Sequence, residues 1–218
     1  MIHYSPEEDM LNSWTHGAGG LLAAVAVGAL LWWCIRCGHG WGMVGMMLYL
    51  AGMTASFLTS TLYHAAPAGS RQRGRLRQWD HAAIYWYIAG SYSPVTLVAL
   101  RTAGWWGWGL FVFVWAAAIA GTIASFRHLQ EHSHIETICY VLMGLSVLVA
   151  FRPLLHSLPP SAIAWLVAEG VAYVSGAAIF AFSPGRPYAH TLFHVLVLAG
   201  TACHLCCVWE MLLVYLPH

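Results

Sequence analysis

Seven long apolar runs, separated by short polar connections, occupy almost the whole of this chain: residues 17–35, 41–63, 82–100, 102–126, 135–151, 161–182 and 190–216. A helix needs about 20 mostly apolar residues to cross a bilayer, and in hydrocarbon its backbone must satisfy its own hydrogen bonds. Only 8% of the 218 residues are charged and 60% are hydrophobic, whereas soluble domains carry about 25% charged residues. The pattern predicts an all-α, polytopic membrane protein of the cell membrane: a seven-transmembrane helix bundle over 17–216. A short segment, 1–16, precedes it and 217–218 follow it.

The irregularities of the runs are informative. The fifth is short and carries Glu136 near its start, the sixth contains Glu169, and Pro94 predicts a kink in the third. Trp32, Trp33, Trp41, Trp105, Trp106 and Trp108 gather near run ends, as an interfacial aromatic belt does. The N-terminus is acidic (Glu7, Glu8, Asp9) and lacks the basic region of a cleaved signal, so the first run is expected to be retained. All nine basic residues are arginines. Seven crossings put Arg71, Arg73, Arg75, Arg77, Arg127 and Arg186 on one side and Arg36, Arg101 and Arg152 on the other. The positive-inside rule then places the N-terminus in the cytoplasm and the C-terminus outside. A net charge of +1 implies no nucleic-acid partner.

Polar groups collect at one depth. His190 and His194 open the seventh run four residues apart, so on a helix they share a face. Ser60 and His64 close the second run at the same spacing, Asp80 and His81 open the third, and His16 precedes the first. Four run ends therefore deliver ionisable or hydroxyl groups to one membrane level, where such groups are costly unless they pair or bind something. A polar network that merely fastens helices is one explanation. A shared metal site is the other: three neutral imidazoles leave zinc an open fourth position, at which water is activated and a carbonyl polarised. His64, His190 and His194 are the candidate ligands. Asp80 is the candidate group to hold or deprotonate the water, and Ser60 to orient it or a substrate carbonyl. Imidazole also suits copper, iron and nickel.

Other constellations are weaker. Cys34/Cys37 and Cys203/Cys206 both read C-x-x-C but lie in or beside apolar helices, where thiols act as small hydrophobes. His128, His132 and His134 in the fourth connection have ligand-like spacing without the H-E-x-x-H order, and read as a solvated loop. Glu169 is expected to face the bundle core and pair with a histidine or water. His204, fourteen residues after His190 and so close to the same face, is expected to be a helix-packing hydrogen bonder.

The ordered set Glu8 to Asn12, Thr15-His16-Gly17, Ser60-Thr-Leu-Tyr-His64, Trp79-Asp80-His81-Ala-Ala-Ile84-Tyr85, Ala89-Gly-Ser-Tyr-Ser-Pro94, Pro187-Tyr-Ala-His190-Thr-Leu-Phe-His194 and Cys203-His204 resembles the hemolysin III family. These are bacterial relatives of the progestin and adipoQ receptors, in a superfamily that includes alkaline ceramidases. The resemblance spans nearly the whole chain. It implies seven helices with a cytoplasmic N-terminus. It also implies zinc on His64, His190 and His194, with Asp80 and Ser60 at its water, and hydrolysis of a membrane lipid amide or ester. The family name implies instead a pore-forming cytolysin, and bacterial members are linked to membrane homeostasis, so a non-enzymatic regulator or receptor is the competing expectation. An open pore calls for polar positions along several helices, and between the site and the far run ends the sequence offers chiefly Glu169 and His204.

Overall fold

The computed structural model describes residues 4–128 and 134–216. Among these residues 88% of the structure is helical and no strand occurs. Eight α-helices follow in order: α1 (Pro6–Arg36), α2 (Gly40–Ala65), α3 (Arg71–Pro94), α4 (Trp105–His128), α5 (His134–Leu145), α6 (Phe151–Ser157), α7 (Pro160–Phe182) and α8 (Ala189–Tyr215). Local sequence sets several starts. Ser5 and Glu8 close a capping box over α1, with Pro6 in the first turn. The Ser70 side chain caps α3, and Pro160 opens α7.

Six helical segments are long and apolar enough to cross a membrane: α1, α2, α4, the α5–α6 segment, α7 and α8. Their outward faces are apolar, for instance Leu21, Leu22 and Val25 of α1 and Val167 and Val171 of α7. Buried positions include Asn12, His16, Ser60, His64, Glu169, His194 and His204. Lipid therefore faces hydrocarbon, and polar groups turn inward to find partners.

The third predicted run differs from the rest. Its helix reaches back to Arg71, so a polar first half precedes the apolar one. Burying Arg73 anchors that extension: its guanidinium donates to the Ala66 carbonyl at 2.8 Å and to Asp9 at 2.7 Å. At the other end Pro94 has no N–H to donate, and its ring crowds the preceding turn. The helix widens there into a π-helical turn, Val95–Ala99. Ser93 and Thr96 hydroxyls donate to the Ala89 and Tyr92 carbonyls at 2.9 and 2.8 Å. The fifth run is also irregular, passing through a 3-10 turn, Ser146–Ala150, between α5 and α6.

The helices form a ring in which α7, α8, α1, α2, α3 and α4 pack successively. The α5–α6 segment closes it more loosely against α3, α4 and α7. Contact between α2 and α3 is backbone-close at two glycines. A Cβ on Gly52 would stand 2.3 Å from the Trp86 carbonyl oxygen, and one on Gly90 2.9 Å from that of Leu48. Where the ring is loose, a cavity of about 1140 Å³ opens among α2, α3, α5, α7 and α8.

Candidate metal centre

Three histidines from two helices meet at one end of this cavity. His64 lies in the last turn of α2, and His190 and His194 lie in the first turns of α8. The His190 Nε2 stands 3.1 Å from the His64 Nε2 and 3.1 Å from the His194 Nε2. The three ligand atoms all lie within 4.8 Å of one another. Nitrogens about 2.0–2.1 Å from a tetrahedral zinc stand about 3.3–3.4 Å apart, so the spacing suits one ion. His64 and His194 are buried, and His190 is partly so.

The opposite edges of the rings show which nitrogens are free to bind. His64 Nδ1–H donates to Asp9 Oδ1 at 2.9 Å. His194 Nδ1 faces the Asn12 carbonyl oxygen at 3.2 Å, and a carbonyl can only accept, so this nitrogen also carries the proton. In the neutral rings both Nε2 atoms therefore present lone pairs toward the same point. His190 can offer a proton to only one of them, so direct hydrogen bonding leaves one lone pair unmatched. A cation satisfies all three. This donor set fits a resident metal of the zinc type.

The partners of those outer edges lie on one face of α1. Asp9 binds His64 and is itself held by Arg73. Asn12 accepts from His194 through its carbonyl and from the Thr191 hydroxyl through Oδ1 at 2.6 Å. The Thr15 hydroxyl donates to the Asn12 carbonyl and lies 3.3 Å from His194 Nδ1. The His16 ring stacks on that of His194, centroids 3.5 Å apart, while its Nδ1 meets the Ser60 hydroxyl at 2.8 Å. Glu8 accepts from the Tyr188 N–H at 2.7 Å, beside a left-handed backbone (φ 59°) at the start of α8. Such side-chain partners fix the tautomer and ring orientation of metal-binding histidines. Sequence reading missed Asp9 in this role, although the spacing 8, 9, 12, 15, 16 marks one helical face. The Tyr4 ring covers the triad, with centroids 4.9 Å from His190 and 5.5 Å from His64. Burial pushes its phenol up, so it stays neutral there.

Asp80, from α3, and Ser60, from α2, line the same cavity. Both stand next to the triad, and Ser60 also serves His16. His81 points the other way round α3: its Nδ1 meets Glu136 at 2.7 Å, and Ser125 donates to the same carboxylate at 3.0 Å. Glu169 and His204 pair at 2.9 Å, as a core-facing glutamate was expected to pair. They lie away from the triad, deeper in the cavity. Leu129 to Ser133, which include His132 of the fourth-connection histidine set, lie outside the described residues. His134 opens α5 and borders the cavity. Among the described residues no disulfide joins the cysteines, and none of them joins the triad.

Comparison with known proteins now has a geometry to bear on. Residues 4–205 match the family described as "Haemolysin-III related". The chain is 33% identical over 202 residues to "Hemolysin-3" of Bacillus cereus, covering 93% of this chain and 90% of that protein. It is 31% identical to the "Hemolysin-3 homolog" of Bacillus subtilis (strain 168), with 94% of each chain covered. It is 27% identical over 179 residues to the human "Monocyte to macrophage differentiation factor", covering 79% of this chain and 72% of that one. The match takes in α1 to α7 and the first part of α8, and with it the whole triad and its α1 supports. Apolar helices, inward polar groups and this likeness agree: the chain is a multi-pass membrane protein and belongs to the haemolysin-III related family.

Proposed function

We propose that this protein is a zinc-dependent intramembrane hydrolase of a lipid amide or ester. The observation that carries the reading is the convergence of three imidazole nitrogens at the end of a largely apolar cavity, with a carboxylate and a hydroxyl beside them. His64, His190 and His194 would hold the metal. Zinc, when bound, supplies Lewis acidity toward a carbonyl oxygen and toward water. The chain supplies the rest. Asp80 takes a proton from the attacking water, Ser60 orients that water or the substrate carbonyl, and Asp9 and Asn12 keep two imidazoles in the binding tautomer. The apolar walls, including Ile88, Val141, Leu166 and Val197, receive the lipid chain.

The same reading takes α3 as a seventh crossing. Its 24 residues, continued by the π turn, reach far enough, and the polar first half stands in the interface. The arginine distribution then supports a cytoplasmic N-terminus and puts the triad near the cytoplasmic leaflet.

The test is elemental analysis of purified protein beside a His190→Ala/His194→Ala variant, with release of fatty acid from a panel of lipid amides and esters. About one zinc per chain in the wild type and little in the variant is expected, with turnover lost in step. Equal metal in both proteins would reject the site. The name "Hemolysin-3" of the Bacillus cereus relative favours a second reading, cytolysis. Erythrocyte lysis by wild type and the metal-free variant alike would move the function there.

A further inference from the structure

We propose that the exposed face where α3 and α4 meet binds an anionic phospholipid. Arg71 and Arg75 hold its phosphate, and Trp79 and Phe126 carry the ester region below. The site is separate from the triad. Arg71, Arg75, Trp79 and Trp86 recur at helical spacing on one side of α3, opposite Asp80, Ile84 and Ile88, which line the cavity.

The charges on this face lack partners of their own. Arg71 and Arg75 stand in the first two turns of α3, whose first turn holds no acidic residue. That is the positive end of the helix dipole, where a cation is disfavoured and an anion is favoured. Arg73 is turned inward and offset by Asp9 at 2.7 Å. Arg71 and Arg75 are exposed, as is Arg127 at the end of α4, and no ion pair joins any of the three to a carboxylate among the described residues. A polar helix start calls for no such arrangement, since glutamine or glutamate there is equally well solvated and suits the dipole better. A phosphate between Arg71 and Arg75, one turn apart, offsets both guanidinium groups and the dipole together.

The surface below the arginines says that the phosphate belongs to a lipid. Trp79 is 53% exposed, and its ring meets that of Phe126 edge-on at 4.9 Å between centroids. Such an aromatic ledge sits at headgroup level in a bilayer. Deeper in, the face turns apolar. Ile119, Ile123 and Phe126 form one exposed stripe of α4 at helical spacing. On α3, Trp86 is exposed beside them, tied to the Thr122 hydroxyl through Nε1 at 2.8 Å. An acyl chain covers this stripe, whereas a soluble anion has nothing to place on it. Basic, aromatic and apolar groups thus follow one another along α3 and α4 in the order in which a phospholipid presents phosphate, ester and chain.

The experiment measures binding alone. Purified full-length protein in neutral detergent is titrated with dioleoylphosphatidylglycerol or dioleoylphosphatidylcholine, and bound lipid is counted by native mass spectrometry. We expect the anionic lipid to bind about 10- to 30-fold more tightly, since each arginine near a lipid headgroup contributes about 5-fold. Arg71→Gln/Arg75→Gln should remove that preference and keep the wild-type melting temperature in lipid-free detergent, because neither side chain has a partner to lose. Should the double variant fail to fold, the single variants decide, each with a loss of about 5-fold. Trp79→Ala should weaken both lipids alike. Arg186→Gln removes an exposed arginine outside this face and should leave the preference intact. Equal affinity for the two lipids overturns the site. So does a preference that survives the double variant, or one that Arg186→Gln abolishes as fully. Displacement of the anionic lipid by inorganic phosphate also overturns it, by showing a site for free anions.

Discussion

Asp9 touches no position at which a metal would sit, yet it decides which nitrogen of His64 is free. Its carboxylate accepts the Nδ1 proton and is pinned by Arg73. Asp9→Asn should leave the helices in place and lower zinc affinity by about 10- to 100-fold, read by chelator competition on the purified protein. Unchanged affinity would mean the His64 ring is held by packing alone. In the proposed hydrolase Asp80 is the base. Asp80→Asn keeps a hydrogen-bonding amide next to Ser60 but cannot take a proton. Zinc content and thermal stability should stay near wild type while turnover falls by about 10²- to 10⁴-fold. Full activity in a zinc-loaded Asp80→Asn protein would remove it as the base; a loss of stability without a selective loss of turnover would make it a structural link.

At the scale of elements, α1 backs the triad, α2 and α8 carry its histidines, and α3 brings Asp80 to the cavity. One stripe of α1 reaches α2 through Asp9 and His16, and α8 through Glu8, Asn12 and His16. The register between α2 and α3 brings Ser60 and Asp80 to the same cavity, and it depends on the close backbone approach at Gly52. A Cβ there meets a carbonyl oxygen of α3 rather than a flexible side chain, so neither partner can simply rotate away. Gly52→Ala should therefore cost about 1–3 kcal/mol through forced separation of the helices. Thermal unfolding in detergent would read this, and zinc content should fall with it because Ser60, His64 and Asp80 shift together. A protein of unchanged stability and metal content would show that the ring tolerates a wider α2–α3 gap.

For the whole molecule, a bound metal ties α2 to α8 across α1, so it should stabilise the fold as a ligand of the native state does. Stripping it with a chelator is expected to lower the melting temperature, and zinc re-addition to restore it; at a thousandfold excess over the dissociation constant the linkage is worth about 4 kcal/mol. A variant lacking His190 and His194 should show neither response. The crossing number has its own test. Reporter fusions at the C-terminus should report the outer compartment when α3 spans. A cytoplasmic signal would leave α3 short of a full crossing, consistent with its polar first half.

What was legible from the sequence follows from distances the chain alone controls. Apolar runs of helical length determine a membrane helix bundle, and a four-residue spacing determines that His190 and His194 share a face, because helical geometry is local. Pro94 likewise marks the irregularity that became a π turn, whereas the capping box that starts α1 at Pro6, well before the apolar run, emerged only in the structure. The convergence of His64 on that pair was inferred from depth, since run ends at one membrane level lie in one slab. Depth does not say which helices are neighbours around the ring. Only the tertiary structure decided that α1 lies between α2 and α8, turning an acidic N-terminus read for its charge into the set of hydrogen bonds behind the triad. It likewise decided that α5 and α6 close the ring loosely, opening the cavity, and that Glu169 and His204 pair directly between α7 and α8. These are contacts between residues from 35 to 182 positions apart. Their partners are chosen by packing of whole helices, which no local pattern encodes.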